Sequence, residues 1–365
     1  MIDYKKIAGE DIASIKPYGT ILPLKKLVEN LGLLRINKMT ANENPLGTSP
    51  MAKRAVKEAL EDIHIYPIGD AHFLREKLSR KLGISQDEVI FGNGSNEIIE
   101  FIIRAFVKQG ECVMSVSPSF SVYGLIAQAA GTYCEWVNLK KDFSFDLRAL
   151  ADKVKSSTRV IFLCNPNNPT GTYFTKEELL DFLSGISEDK IVVLDEAYIE
   201  FVDANDFPDS LSLYREFPNI ISLRTFSKIY GLAGLRVGYG FGHKEAIDML
   251  SRVRQPFNVN SLGQIAAAAA LDDVQFVRET IKTNRMGKVY LYKEFKKLNL
   301  NFIETQANFI LLEIDNAKMI SEKLLKEGII VRYFGGELDK YLRITIDTMY
   351  ENEQLINKLK KVMEN

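Results

Sequence analysis

The chain has 365 residues, with 47 basic and 48 acidic side chains and a formal charge of −1. At 46% hydrophobic and 26% charged it has ordinary globular composition, which excludes global disorder, a state of low hydrophobicity and high net charge. Balanced charge argues against a nucleic-acid binder, and about 150 residues per domain sets the expectation at two domains, three at most.

The first fifty residues carry no strong core pattern and are expected to serve as an arm or to join a second unit. Ser49-Pro50 reads as an N-cap followed by proline at the first helical position, opening a helix over 51–60. Short Val/Ile-rich runs at 88–91, 112–115, 159–163, 191–194, 219–223 and 236–239 read as strands buried on both faces. Between them, 96–107 places Ile98, Ile99, Ile102, Ile103 and Phe106 on one helical face, and Thr175 with Glu178 forms a capping-box pattern. Strands alternating with helices imply an α/β fold, a mostly parallel central sheet wrapped by helices. The last third reads as a smaller α/β unit: a long helix over 272–297, strands at 308–314, 329–332 and 341–346, and a helix near 318–327. The expected division is 1–48 as arm and part of the small domain, 49–255 as the large domain, and 256–365 as the small C-terminal domain.

No apolar run reaches the roughly 18 residues a membrane span needs; the longest, 265–271, is mostly alanine. The N-terminus lacks the apolar stretch of a signal peptide. Cys112, Cys134 and Cys164 are odd in number, far apart and without a CxxC pair, which suits a reducing cytoplasm. His64, His72 and His243 show no ligand spacing, so no metal site is expected.

Four signals lie at or just beyond the carboxyl ends of expected strands: Asn165-Pro-Asn-Asn-Pro-Thr-Gly171, Asp195-Glu-Ala-Tyr198, Ser227-Lys228 and Arg236. Each alone is a common turn, cap or surface pattern. Together they matter, because ligands of open parallel sheets bind outside that edge. A buried carboxylate suits a protonated ring nitrogen. A phenol and an amide suit a ring oxygen. A desolvated lysine can form an imine, and Ser, Thr and Arg suit a phosphate. That set describes a pyridoxal phosphate site. Gly92-Asn-Gly-Ser-Asn-Glu97 adds an anion cup at a helix start. It is neither a Walker A loop nor a GxGxxG fingerprint.

These stretches, with Ala41-Asn-Glu-Asn-Pro-Leu-Gly47, Tyr66-Pro67, the run from Arg224 to Gly238, and Leu342-Arg343-Ile-Thr345, resemble the fold-type I pyridoxal-phosphate aminotransferases. Within them the chain is similar to the histidinol-phosphate aminotransferase branch. The resemblance implies that Lys228 carries the cofactor covalently and moves a proton during turnover. It implies that Asp195 pairs with the pyridinium nitrogen, and that Asn168 and Tyr198 bond the ring oxygen. Ser95, Asn96, Thr225, Ser227 and Arg236 would hold the phosphate. Tyr66 would reach the phosphate of the neighbouring subunit, making the active unit a homodimer. Phe120 stands where the family usually places a stacking tyrosine, and Asn96 where an aspartate is common. Arg343, then Arg332, are the candidates for substrate anions, with Tyr18 and Asn44 lining the pocket.

The implied reaction is ping-pong transfer of the amino group from histidinol phosphate to 2-oxoglutarate in histidine biosynthesis. Within enzymes, an aromatic or broad-specificity aminotransferase and a threonine-phosphate decarboxylase compete with this reading. A non-catalytic ligand sensor of the same fold and a nicotinamide dehydrogenase stand in other classes. The sensor lacks a basic DNA-binding head before Ala41, and the dehydrogenase lacks its glycine fingerprint.

Overall fold

The computed structural model describes residues 2–16 and 23–364. Its strands, in chain order, are β1 (Asn37–Lys38), β2 (Val89–Gly92), β3 (Cys112–Ser117), β4 (Cys134–Asn138), β5 (Thr158–Cys164), β6 (Ile191–Asp195) and β7 (Ile220–Thr225). They continue with β8 (Gly238–Gly242), β9 (Phe302–Ile303), β10 (Phe309–Glu313), β11 (Ile329–Ile330), β12 (Arg332–Gly335) and β13 (Leu338–Thr345). A seven-stranded sheet has the order β2-β8-β7-β6-β5-β3-β4. From β7 to β4 neighbours run parallel, while β8 lies antiparallel to both β2 and β7.

Successive residues of the central strands enter opposite cores. On β6, Val192 and Leu194 join one apolar cluster and Val193 the other; on β5, Ile161 and Phe162 divide the same way. A side-chain period of two with both faces covered is why these strands read as unbroken apolar runs. Helix Ser95–Phe106 covers one face with Ile98, Ile99, Ile102 and Ile103. Helices His72–Leu82 and Lys176–Ser184 cover the other with Leu74, Leu78, Leu179 and Phe182. The second of these starts at the capping box: Glu178 N donates to Thr175 Oγ1 at 3.2 Å, and Thr175 N donates to Glu178 Oε2 at 2.8 Å. Each fully buried Leu or Ile contributes about 1.5–3 kcal/mol, so the strand ends that frame the site rest on a well-filled core.

A second core belongs to the sheet β12-β13-β10-β9. Helices Val274–Lys297, Ala317–Lys326 and Met349–Glu364 pack on it through Leu291, Phe295, Leu324, Leu355 and Leu359. Met39 lies in this core, and β1 pairs in parallel with β11. The N-terminal segment therefore completes the smaller unit.

Several elements depart from the sequence reading. The strand expected over 236–239 begins at Gly238, because Arg236 is left-handed (φ 56°) and breaks the extended run. The long helix starts at Val274, where the Asp273 side chain accepts from Phe276 N as N-cap. The run at 329–332 divides between β11 and β12 of two different sheets. Strand β4 was not expected; it is a half-buried edge without a continuous apolar run. Finally, helix Ser261–Ala270 buries Ala266, Ala267 and Ala270 in the larger core, although a division at residue 256 would place it with the smaller unit. Its alanines allow close helix packing on that core, whereas the sequence reading places residues 256–365 together in the smaller unit.

Candidate active site

Parallel strands deliver their carboxyl ends to one edge of a sheet. Here β5, β6 and β7 bring Asn168, Asp195 and the 225–228 segment to one cleft of about 480 Å³, whose opposite wall includes Arg332, Phe334 and Arg343 of the smaller unit. Asp195 ends β6 and is 2% exposed. Its Oδ2 accepts from Tyr123 Oη at 2.7 Å. Its Oδ1 is buried with no hydrogen-bond partner among the described residues. Burial pushes this carboxyl up to about 6, against the opposing hydrogen bond from Tyr123.

Lys228 follows β7 by three residues. Its Nζ donates to Ala41 O at 3.0 Å and lies 5.8 Å from the Tyr198 ring centre. Burial, and then the nearby Arg343 charge, lower this amine to about 8. Tyr198 is 3% exposed, and its hydroxyl accepts from Asn42 Nδ2 at 3.0 Å. Burial raises the phenol above its ordinary value. Asn168 Oδ1 accepts from Arg343 Nη1 at 2.5 Å, while Arg343 Nη2 donates to Thr40 O at 2.6 Å.

The anion cup forms at the start of helix Ser95–Phe106, whose N-cap is Gly94. Gly94 has φ +72°, and a Cβ there would stand 2.5 Å from Arg236 Nη2. A Cβ on Gly238 would stand 2.3 Å from Ser95 N. Both glycines keep open the space in which backbone amides, Thr225, Ser227 and Arg236 converge. Ser95, Thr225 and Ser227 are buried. Arg236 sits at the rim, with Nη1 3.5 Å from Ser227 Oγ. Asn96 and Phe120 also line the cleft, and Phe120 meets Tyr123 edge-on with ring centres 5.6 Å apart.

Arg332 and Arg343 are partners across β12 and β13. Both guanidiniums lie against the Phe334 ring, at 5.3 and 5.5 Å. Asn44, expected in the pocket, instead turns its Nδ2 to Ile229 O at 2.9 Å, Thr280 Oγ1 at 3.2 Å and Lys228 O at 3.3 Å. It clasps the backbone that carries Lys228. The reason is local: Asn42 is left-handed (φ 55°), which sends Asn42 toward Tyr198 and Asn44 behind the lysine. Tyr66 is 81% exposed, stacks on Phe257 at 5.1 Å and does not line the cleft of its own chain. Tyr18 lies outside the described residues.

Sequence reasoning missed Tyr123 and Asn42. Tyr123 had a faint signal, three residues beyond Phe120, in the first turn of the helix Val122–Ala129 that follows β3. Asn42 sat in a motif already singled out, but its twin Asn44 was chosen. Among the described residues no cluster of His, Cys, Asp or Glu could hold a metal ion.

The donor set fits pyridoxal 5'-phosphate. The orphaned Asp195 oxygen awaits a charged N–H, the glycine-lined cup awaits a phosphate, and the partly desolvated Lys228 amine is placed between them. Comparison with known proteins agrees. The family described as aminotransferase class I and II matches residues 35–359. Histidinol-phosphate aminotransferase 2 of Carboxydothermus hydrogenoformans is 42% identical over 97% of this chain and 98% of its own length. The histidinol-phosphate aminotransferase of Moorella thermoacetica is 43% identical over 97% of this chain and 92% of its own. The crystal structure of the Sinorhizobium meliloti histidinol-phosphate aminotransferase with pyridoxal-5'-phosphate superposes with a TM-score of 0.88, at 26% identity and 97% coverage of both chains. By family match, full-length similarity and site chemistry together, the chain belongs to the class I and II aminotransferases, enzymes whose cofactor is pyridoxal 5'-phosphate.

Proposed function

We propose that this aminotransferase takes the amino group of histidinol phosphate and gives it to 2-oxoglutarate, by alternating half-reactions, in histidine biosynthesis. The observation that carries the substrate reading is the cross-strand pair Arg332 and Arg343, two guanidiniums on one aromatic ring facing the cleft that holds Lys228. Guanidinium forks suit a phosphate in one half-reaction and a carboxylate in the other. The full-length similarity to histidinol-phosphate aminotransferases supports the same choice.

When bound, pyridoxal phosphate supplies a carbonyl that condenses with amines and a ring that accepts the electron pair of a broken C–H bond. The chain's residues do the rest. Lys228, lowered to about 8, is about one-tenth neutral at pH 7 and about half neutral at pH 8, far more than an ordinary lysine, so it can hold the cofactor and then take and return the substrate α-proton. The free Asp195 oxygen would hold a proton on the ring nitrogen, and Tyr123 fixes the orientation of that carboxylate. Tyr198, itself held by Asn42, and Asn168, held by Arg343, present their polar atoms to the ring oxygen. Ser95, Asn96, Thr225, Ser227 and Arg236 would hold the phosphate, and Phe120 would pack on the ring.

The exposed Tyr66, stacked on Phe257, supports a homodimer in which it serves the partner's phosphate. Among the described residues no helix is long and apolar enough to cross a membrane. Three free cysteines, two of them buried, suit the cytoplasm.

The test is a panel of amino donors with 2-oxoglutarate, reading glutamate formation. Histidinol phosphate should give the highest kcat/KM, with parallel-line kinetics. A higher value for phenylalanine or tyrosine would replace the donor. Carbon dioxide released from threonine phosphate without any oxo acid would replace the reaction.

A further inference from the structure

Under the proposed function, one cleft receives two unlike groups in turn. The amino donor brings an imidazole, which offers an N–H in either of its protonation states. The 2-oxo acid brings a distal carboxylate. Lys38, Lys228, Arg236, Arg332 and Arg343 make the lining strongly cationic, and its carboxylates are Asp195 and Glu43. Asp195 is buried and bonded to Tyr123, with its other oxygen assigned to the ring nitrogen. Glu43 is therefore the carboxylate left to meet a substrate.

Glu43 is already paired. Lys38 Nζ donates to its Oε1 at 2.8 Å, with the two side chains 33% and 43% exposed. An ion pair this open to water is weakly held, so a substrate group can draw off either partner. The backbone beneath it is firmly placed. Ala41 O accepts from Lys228 Nζ, Asn42 N donates to Thr345 Oγ1 at 3.0 Å, and Lys38 belongs to β1, paired with β11. Two partly exposed side-chain tips of opposite charge thus stand on a hydrogen-bonded segment that lines the cleft with Lys228.

Resting on that reading of the function, we infer that Lys38 and Glu43 form a two-sided specificity pair. Glu43 accepts the imidazole N–H of the amino donor. Lys38 donates to the distal carboxylate of the oxo acid. Each releases the other when its own substrate group arrives.

The test measures the two half-reactions separately on the holoenzyme, by the absorbance change of the cofactor. Each substrate is matched with a truncated control. Alaninol phosphate keeps the amine and phosphate of histidinol phosphate without the ring; pyruvate keeps the oxo acid without the distal carboxylate. E43Q should lose about tenfold in kcat/KM for histidinol phosphate, the scale of one charged hydrogen bond offset by the lost ion pair. It should not weaken alaninol phosphate or 2-oxoglutarate. K38M should lose about tenfold for 2-oxoglutarate and should weaken neither pyruvate nor histidinol phosphate. Equal losses on full and truncated substrates would make the pair structural and overturn the inference. A response in one variant without the other would overturn its two-sided form. Wild-type protein that ignores histidinol phosphate but transaminates other donors would instead remove the proposed function, and the inference with it.

Discussion

Arg343 Nη1 lies 2.5 Å from Asn168 Oδ1, joining strand β13 of the smaller unit to the loop that follows β5 of the larger one. The same guanidinium holds Thr40 O and is among the charges that lower Lys228. The proposed anion site, ring-oxygen contact and proton carrier therefore share one side chain. An incoming phosphate or carboxylate must compete with Asn168 for it.

Arg343→Ala should lower kcat/KM about 100-fold for both the phosphorylated donor and 2-oxoglutarate, since a charged hydrogen bond contributes about 1.5–3 kcal/mol. It should also raise the pKa of Lys228, because a repelling charge is removed. Steady-state kinetics on both substrates reads the first effect, and the pH dependence of cofactor uptake reads the second. Unchanged kinetics for both substrates would take Arg343 out of the pocket.

Lys228 should show its lowered value directly. Its neutral form reacts, so uptake of pyridoxal phosphate by cofactor-free protein should quicken as pH rises and level off above about 8. The measurement is the rate of the visible absorbance change across pH 6 to 10. A rate still climbing steeply past pH 9 would show an ordinary lysine.

Asp195→Asn should lose most turnover, because the amide cannot hold a proton on the ring nitrogen by charge. In cofactor-free protein the sign reverses. The folded carboxyl titrates at about 6 against an ordinary 3.8, so the folded state binds more protons between those values and is destabilised as pH rises through the window. The cost is complete above about pH 6 and amounts to at most ~3 kcal/mol. Cofactor-free Asp195→Asn should therefore outlast wild type in urea at pH 8 and match it at pH 4. A variant weaker at pH 8 would contradict the burial argument.

Tyr123→Phe removes the donor to Asp195 Oδ2 but keeps the ring stacked on Phe162, with centres 4.7 Å apart. Cofactor-free protein should lose about 1–3 kcal/mol of stability at pH 8, because a buried carboxylate oxygen is left without its donor, and lose little at pH 4, where the carboxyl is protonated. Losing that donor raises the Asp195 carboxyl further, so kcat should fall about tenfold with KM nearly unchanged, on the scale of one charged hydrogen bond. The absorbance titration of the bound cofactor should move as well. A kcat loss without that spectral change would argue for packing alone.

Beneath the site, Arg224 Nε lies 2.8 Å from Glu196 Oε2, and Ser210 Oγ donates to the same oxygen at 2.8 Å. Glu196 is 1% exposed, and its carboxyl is raised by burial. The pair ties the residue after Asp195 to the residue before Thr225. Arg224→Met should cost about 3–5 kcal/mol by leaving that carboxylate buried and uncompensated. The deficit should shrink as pH falls and Glu196 takes a proton. Urea denaturation at pH 8 and pH 5 checks both statements.

The chain determined by itself everything that depends on neighbours in sequence. The Val/Ile runs of β5, β6 and β7, the capping box at Thr175, and the polar residues just past each strand end were all readable, because parallel strands with buried faces impose a local pattern. Lys228, Asp195 and Asn168 could be named together for one reason: such strands present their carboxyl ends at a common edge.

Pairings across long stretches of chain were decided only by folding. Asn42 finds Tyr198 156 residues away, Arg343 finds Asn168 at a separation of 175, and Tyr123 finds Asp195 at 72. The left-handed turn at Asn42 chose it over Asn44, and the same turn bears Glu43 beside Lys38. No periodicity encodes such contacts. They follow from how the smaller unit packs over the sheet edge, which sets which polar tips meet.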